Sequence, residues 1–224
     1  MYATRGRWMR RRVVSVLAAT CALALAVCAP SFASTASDTT QFAVTAGALA
    51  FGTAPDVPDL PGLTLNGQSQ TLNAAMNNFS VVDATGSGSG YHVSVQGDSS
   101  ALHSAVFKQY CTQALCGSDV LGYVVSGFTL AANSLTLSSS GASFTAQNGT
   151  TGTAPTHQCG SGCNVDSASA VNVISAATNA GMGTYATASY GASSLALSAP
   201  TTVKSLPANE VYRADLVWTL SSGP

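Results

Sequence analysis

Residues 212–224 read YRADLVWTLSSGP, and this stretch decides the fold class. Side chains of a β-strand alternate between its two faces, so residues two positions apart share a face. One face of this stretch carries Tyr212, Ala214, Leu216, Trp218 and Leu220. We therefore predict a half-buried strand whose two aromatic side chains point inward. Only four residues follow Leu220, so we expect the strand to pair with one formed much earlier in the chain.

A second informative stretch is residues 79–97, where two alternating segments flank the sequence GSGSG of residues 86–90. The shared faces are Phe79, Val81 and Asp83 in the first segment, and Tyr91, Val93 and Val95 in the second. Glycine tolerates positive φ and tight reversals. The stretch therefore predicts two strands joined by a compact loop.

The spacing Y-x-x-x-L-x-W-x-L-x-x-x-P at residues 212–224 resembles the distal motif of the WxL-domain surface proteins of Gram-positive bacteria. The positions that carry this resemblance are Tyr212, Leu216, Trp218, Leu220 and Pro224. That family has a proximal motif in which an aspartate and glycines precede Trp-x-Leu. Its outline is matched, with tyrosine and valine replacing tryptophan and leucine, by Asp83, Gly86, Gly90, Tyr91 and Val93. The resemblance covers residues 42–97 and 168–224.

The resemblance implies a secreted, non-catalytic protein of the cell surface that binds peptidoglycan or an associated wall polymer without a covalent link. The sequence has no G-x-S-x-G motif and no paired carboxylates near an aromatic stretch, so we expect no catalytic residue. We also expect no cofactor and no metal. An alternative is a structural subunit of a surface fibre or multi-protein complex, which would use an exposed strand edge to bind other surface proteins. For Trp218 two roles stay open, packing in the core or stacking on a wall sugar, and we favour the core.

The amino terminus has the pattern of a secretory signal peptide, which we place at residues 1–33. Five arginines within residues 5–12 precede an apolar run at residues 13–29 and small residues up to Ala33. We expect residues 34–41 to be a flexible leader and residues 42–224 to form one domain. No second apolar run is long enough for a membrane anchor.

Removal of the signal peptide would leave a strongly acidic chain. Three basic residues and nine acidic residues remain, so the net charge is 3 − 9 = −6. This charge excludes the basic surface of a nucleic-acid-binding protein. It also repels anionic wall polymers, so binding to the wall cannot depend on bulk charge attraction.

Four cysteines lie in residues 98–166, a segment that matches the family least and that we interpret as insertion-like. In an exported chain an even number of cysteines predicts disulfides. We expect the local pairs Cys111–Cys116 and Cys159–Cys163. A zinc site formed by these cysteines with His157 is the alternative.

Short apolar segments separated by turn residues predict an all-β domain, a sandwich or barrel-like fold of about ten strands. We expect the first strand at residues 41–51, with Phe42, Val44 and Ala46 on one face, and expect it to pair with the last strand or to lie adjacent to it. Asp56, Asp59 and Asp83 are candidates for a bound cation or, more simply, for turn capping.

Overall fold

The structure is a computed structural model that describes residues 38–224. Residues 45–224 form one compact unit, and residues 38–44 contain no strand. The predicted signal peptide at residues 1–33 lies outside the described residues. Within the described part of the chain, no helix has the length and apolar character needed to cross a membrane.

Fifteen β-strands and no helix occur in residues 38–224, which confirms the predicted all-β class. In chain order the strands are β1 Leu49–Thr53, β2 Gln70–Ala74, β3 Ser80–Asp83, β4 Tyr91–Gly97, β5 Lys108–Cys116, β6 Asp119–Tyr123, β7 Leu135–Leu137, β8 Ser143–Gln147, β9 Thr156–His157, β10 Cys163–Asn164, β11 Val171–Ala176, β12 Gly183–Ala188, β13 Leu195–Ala199, β14 Glu210–Arg213 and β15 Leu216–Ser222. The number exceeds the ten expected because several strands have only two or three residues, too short to show alternation.

The strands form four antiparallel sheets. Their orders are β1-β3-β12-β8, β10-β7-β13-β2, β15-β4-β11-β9 and β14-β5-β6. One core cluster joins side chains from the first three sheets, among them Val81, Leu137 and Val93. This arrangement is consistent with the predicted sandwich-like domain, because an antiparallel sheet buries one face against another sheet.

The central strand of the core is β4, and its alternation is as predicted. Tyr91, Val93 and Val95 are each 0% exposed, whereas His92 and Ser94 between them are only partly buried. The partner strands are β15 on one side and β11 on the other. The predicted pairing of the last strand with a much earlier strand is therefore confirmed.

Two strand predictions were wrong. The first strand begins at Leu49, because Phe42 and Val44 have no strand partner among the described residues and are 90% and 81% exposed. The predicted last strand is divided into β14 and β15, which belong to different sheets. The break falls at Asp215, whose backbone N–H donates to the Ser104 carbonyl (2.8 Å) rather than to a strand partner. The first and last strands do approach each other, although β1 pairs with β3.

The segment 98–166 contributes strands to all four sheets; β8 pairs with β12 and β7 with β13. Its insertion-like character remains a prediction.

The structure contains both predicted local disulfides, Cys111–Cys116 and Cys159–Cys163. Since these bonds use all four sulfur atoms, the thiolates that the alternative zinc site requires are absent.

Tyr91 offers a test of the core because its hydroxyl is buried and has no hydrogen-bond partner in the part of the chain that the structure describes. Burial, and next the charge of Asp83, raise the pKa of Tyr91, so the group stays neutral. An unpaired buried hydroxyl costs about 1–3 kcal/mol. We therefore expect Tyr91→Phe to unfold at the same or a higher denaturant concentration than the parent chain.

Tyr185→Phe is the matched control. Tyr185 is also buried, but its hydroxyl donates to the Gly152 carbonyl oxygen at 3.1 Å. Removal of this hydrogen bond should destabilise the chain by about 1 kcal/mol. Equal losses of stability in the two variants, measured by urea unfolding, would contradict the assignment of Tyr91 as unpaired.

Candidate functional site

The two motifs identified in the sequence lie on neighbouring strands. In the antiparallel register of β4 and β15, Ser222 faces Tyr91, Leu220 faces Val93 and Trp218 faces Val95. The distal motif therefore runs directly alongside the proximal motif, although more than a hundred residues separate them in the chain. Periodicity alone could not show this, because it reports which face a residue occupies and not which strand is its neighbour.

Trp218 packs against the core, the role that we favoured, and its side chain is partly buried. Its ring packs at 5.5 Å between centroids on Phe79, and Phe79 in turn contacts Phe51 at 6.4 Å. Leu216 and Leu220, on the same face of β15, are also half-buried against the core. Trp218 thus has one side on the core and another side on a cleft. Tyr212 belongs to the other strand, β14, and its hydroxyl donates to the Lys204 carbonyl at 3.1 Å.

The loop of residues 84–90 joins β3 to β4 and holds the proximal glycines. Gly86, Gly88 and Gly90 have φ angles of 66°, 65° and 76°. Glycine adopts this left-handed region without the steric cost that a Cβ atom imposes. Thr85, Ser87 and Ser89 alternate with these glycines, and their hydroxyls form a row with O–O distances of 2.9 Å.

Asp83, the last residue of β3, holds the start of this loop through hydrogen bonds. It is 4% exposed, and it accepts hydrogen bonds from the Thr85 backbone N–H (3.1 Å) and the Thr85 hydroxyl (2.6 Å). These contacts are those of an aspartate that caps a turn. Of its two candidate roles, the geometry thus favours turn capping over cation binding.

The carboxyl-terminal residues complete the junction of the two motifs. The Gly223 N–H donates to the Gly90 carbonyl at 2.9 Å, and His92 Nδ1 lies 3.0 Å from the Gly223 carbonyl oxygen. Pro224, the last position of the distal motif, is exposed beside these contacts. The end of one motif is thereby fastened to the beginning of the other.

A large open cleft of about 1160 Å³ runs along β14 and β15. Its opposite wall is residues 55–63, which we call the strap; three prolines prevent the strap from joining a sheet. Val57, Leu60 and Leu63 of the strap pack against the core. The distal-motif residues Tyr212, Leu216 and Trp218 line the cleft. The sequence analysis did not predict the cleft, because its walls come from segments far apart in the chain.

A cluster of charged side chains lies at one part of the cleft, centred on Asp215. Asp215 accepts hydrogen bonds from Tyr123 (2.8 Å) and Arg213 (2.9 Å), and His103 Nδ1 lies 3.0 Å from it. Burial acts to raise the pKa of Asp215, but these hydrogen bonds outweigh it and hold the pKa below its usual value. The cluster therefore stabilises the fold at neutral pH, and this contribution is lost as the pH falls through the lowered pKa.

The remaining site candidates lie on other segments of the chain than the two motifs. Asp56 is on the strap, where it accepts a hydrogen bond from Asn77 (2.8 Å), and Asp59 lines the cleft. Cys111 and Cys116 are on β5, and Cys159 precedes β10. Within residues 38–224, no group of three or more His, Cys, Asp or Glu side chains could hold a metal ion.

Comparison with protein families gives a match over residues 43–224 to the WxL domain, described as surface cell wall-binding. The match spans nearly the whole described chain, including the segment 98–166. The chain therefore belongs to the WxL domain family and contains a cell-wall-binding domain of the cell surface. Comparison with curated proteins and with solved structures gave no match.

Proposed function

We propose that this chain is a secreted, non-catalytic protein that attaches non-covalently to the peptidoglycan of a bacterial cell wall. The observation that carries the proposal is the family match over residues 43–224 together with the adjacent position of its two motifs. The strand pair β4–β15 holds the loop of residues 84–90 and the chain end at one place, and we propose that the exposed residues of these segments contact the wall.

The row of Thr85, Ser87 and Ser89 hydroxyls, in which both serines are exposed, supports this role. Hydroxyls both donate and accept hydrogen bonds, as the hydroxyl and amide groups of a wall glycan require. The row stands on a loop whose shape is set by three glycines and by Asp83. Such a pre-organised loop binds with a smaller entropic cost than a mobile one.

A second candidate function is assembly with other surface proteins. The strands β14 and β15 each lie at the edge of a sheet and have one side without a strand partner among the described residues. A strand of another protein can add to such an edge. Sedimentation separates the two functions, since a monomer that pellets with walls supports the first, and self-assembly without walls supports the second.

Co-sedimentation with isolated Gram-positive walls tests the main proposal. We expect the chain to pellet with intact walls and with walls stripped of anionic polymers by acid, and to remain soluble after muramidase digests the walls. Loss of binding on stripped walls would show that peptidoglycan is not the ligand. Release of soluble wall fragments by the protein alone would contradict its non-catalytic character.

Wall binding should not weaken steeply as sodium chloride increases. The chain without its signal peptide has a net charge of 3 − 9 = −6, so salt screens repulsion from an anionic wall instead of attraction. Pelleting measured from low salt to about 0.5 M, well past the ionic strength at which the Debye length falls below 10 Å, checks this expectation. Cytochrome c, a basic protein, is the control that should be released. A steep loss for this chain would contradict the proposal, and a loss on adding chelator would indicate bridging cations.

A further inference from the structure

The cleft has a charge and a lining that the proposed wall contact does not use. Five of the nine acidic residues line it, namely Asp56, Asp59, Asp98, Glu210 and Asp215. Only two lysines or arginines, Lys204 and Arg213, do so, which gives the cleft a formal charge of 2 − 5 = −3. Carboxylates held together around an apolar depression attract a positively charged ligand.

Glu210 supplies an independent indication of a ligand. It is 8% exposed and lines the cleft. Gln109 donates to one carboxylate oxygen, and the other, Oε1, has no hydrogen-bond partner among residues 38–224. A buried carboxylate oxygen without a donor is costly to maintain. A cationic donor from a bound molecule would pair with it.

Much of the remaining lining of the cleft is aliphatic. It includes Leu60, Leu130, Leu195, Leu197 and Leu206, with Trp218 at the side. Saccharides are bound mainly through hydrogen bonds and flat aromatic rings, whereas leucine side chains pack against other apolar side chains. At about 1160 Å³ the cleft is also larger than a typical small-molecule site of roughly 300–1,000 Å³.

The wall of the cleft formed by β14 and β15 presents sheet edges. β14 is the terminal strand of its sheet and β15 the terminal strand of another, within the part of the chain that the structure describes. An extended peptide beside such an edge gains main-chain hydrogen bonds, and its alternate side chains point to opposite sides. A peptide in which apolar and basic residues alternate would match the leucine side chains and the carboxylates that line the cleft.

We propose that this cleft binds an extended segment of a partner protein in which apolar residues alternate with lysine or arginine. The segment lies between the strap and β14–β15. Its apolar side chains pack on the leucine side chains that line the cleft, and a basic side chain pairs with Glu210. This site is separate from the wall-binding loop at residues 84–90, so either can fail without the other.

Fluorescence anisotropy with labelled nonapeptides tests the proposal. The probe is an alternating lysine–leucine peptide, and the comparison peptides alternate glutamate with leucine or lysine with serine. We expect saturable binding of the first only. Absence of binding of the lysine–leucine peptide, or equal binding of the glutamate–leucine peptide, would overturn the proposal. Displacement of the bound peptide by an N-acetylglucosamine tetramer would assign the cleft to saccharides and would also overturn it.

Two variants locate the peptide. Glu210→Gln keeps the hydrogen bond from Gln109 but removes the charge, and Asp59→Asn removes an exposed charge of the strap without touching the core. We expect Glu210→Gln to weaken peptide binding about tenfold and Asp59→Asn to weaken it by about threefold.

The matched control is Asp119→Asn, which removes a carboxylate on β6 outside the cleft and should have no effect. Equal losses in all three variants would show non-specific charge attraction and contradict the site. Wall pelleting should be unchanged in each variant.

Discussion

Gly90→Ala should destabilise the protein by about 3–5 kcal/mol, the largest effect that we expect from one substitution in the two motifs. Gly90 has a φ of 76°, which an alanine adopts only with strain. A Cβ atom there would also meet the backbone carbonyl oxygens of Ala176 and Ala177, the latter at 2.8 Å. Since backbone atoms of two paired segments cannot move independently, β4 and β11 would have to separate at this end.

Gly86→Ala is the matched control within the same loop. Gly86 has a similar φ of 66°, but a Cβ atom there would have no neighbour within 4 Å. Only the conformational strain remains, and it should cost about 1–2 kcal/mol. Urea unfolding of both variants measures the difference. A loss for Gly90→Ala no greater than for Gly86→Ala would show that close backbone packing does not fix the proximal glycine.

Trp218→Ala should lower the free energy of unfolding by about 2–3 kcal/mol. A fully buried tryptophan would cost about 3–5 kcal/mol, but Trp218 is only half-buried and loses chiefly its contact with Phe79. That is still a large share of a typical domain stability of about 5–15 kcal/mol. We expect the variant that remains folded at low temperature to pellet with walls, because the proposed contact lies at residues 84–90.

Val217→Ala provides the comparison on the opposite face of β15. Val217 is 38% exposed, so its truncation should cost less than about 1 kcal/mol. Thermal melts and wall pelleting of both variants decide the role of the tryptophan. If Trp218→Ala melted like the parent chain but no longer pelleted, Trp218 would be a direct wall contact, and the role as a packing residue would be wrong.

Alternation predicted the strands that have one buried face and several consecutive residues. For β4 and β15 it identified the inward side chains, because both strands are seven residues long and their inward residues are two positions apart, as Tyr91 and Val93 are on β4. It failed at residues 41–48, where Phe42 and Val44 alternate but no neighbouring strand buries them. Alternation shows which face of a segment is apolar, but that face is buried only if another part of the chain packs against it.

Some features of the candidate site could likewise be predicted from the sequence, and others could not. The motif residues were found from spacing, and the disulfides from the proximity of cysteines in the chain. The cleft was not found, since Glu210, the strap and Leu195 come together only through the sheet order. The division of the last strand at Asp215 also depends on distant partners, Ser104 and Tyr123, that no local pattern reveals.

The pairing of β4 with β15 has a consequence for how the chain acquires its structure. Closing a loop of more than a hundred residues costs entropy before any contact is gained, and all-β chains with such distant pairings fold in milliseconds to seconds. Strand β4 gains both neighbours only when residues 171–176 and 216–222 have been synthesised. In the nascent chain, β4 therefore lacks its second neighbour until the last strand has been synthesised.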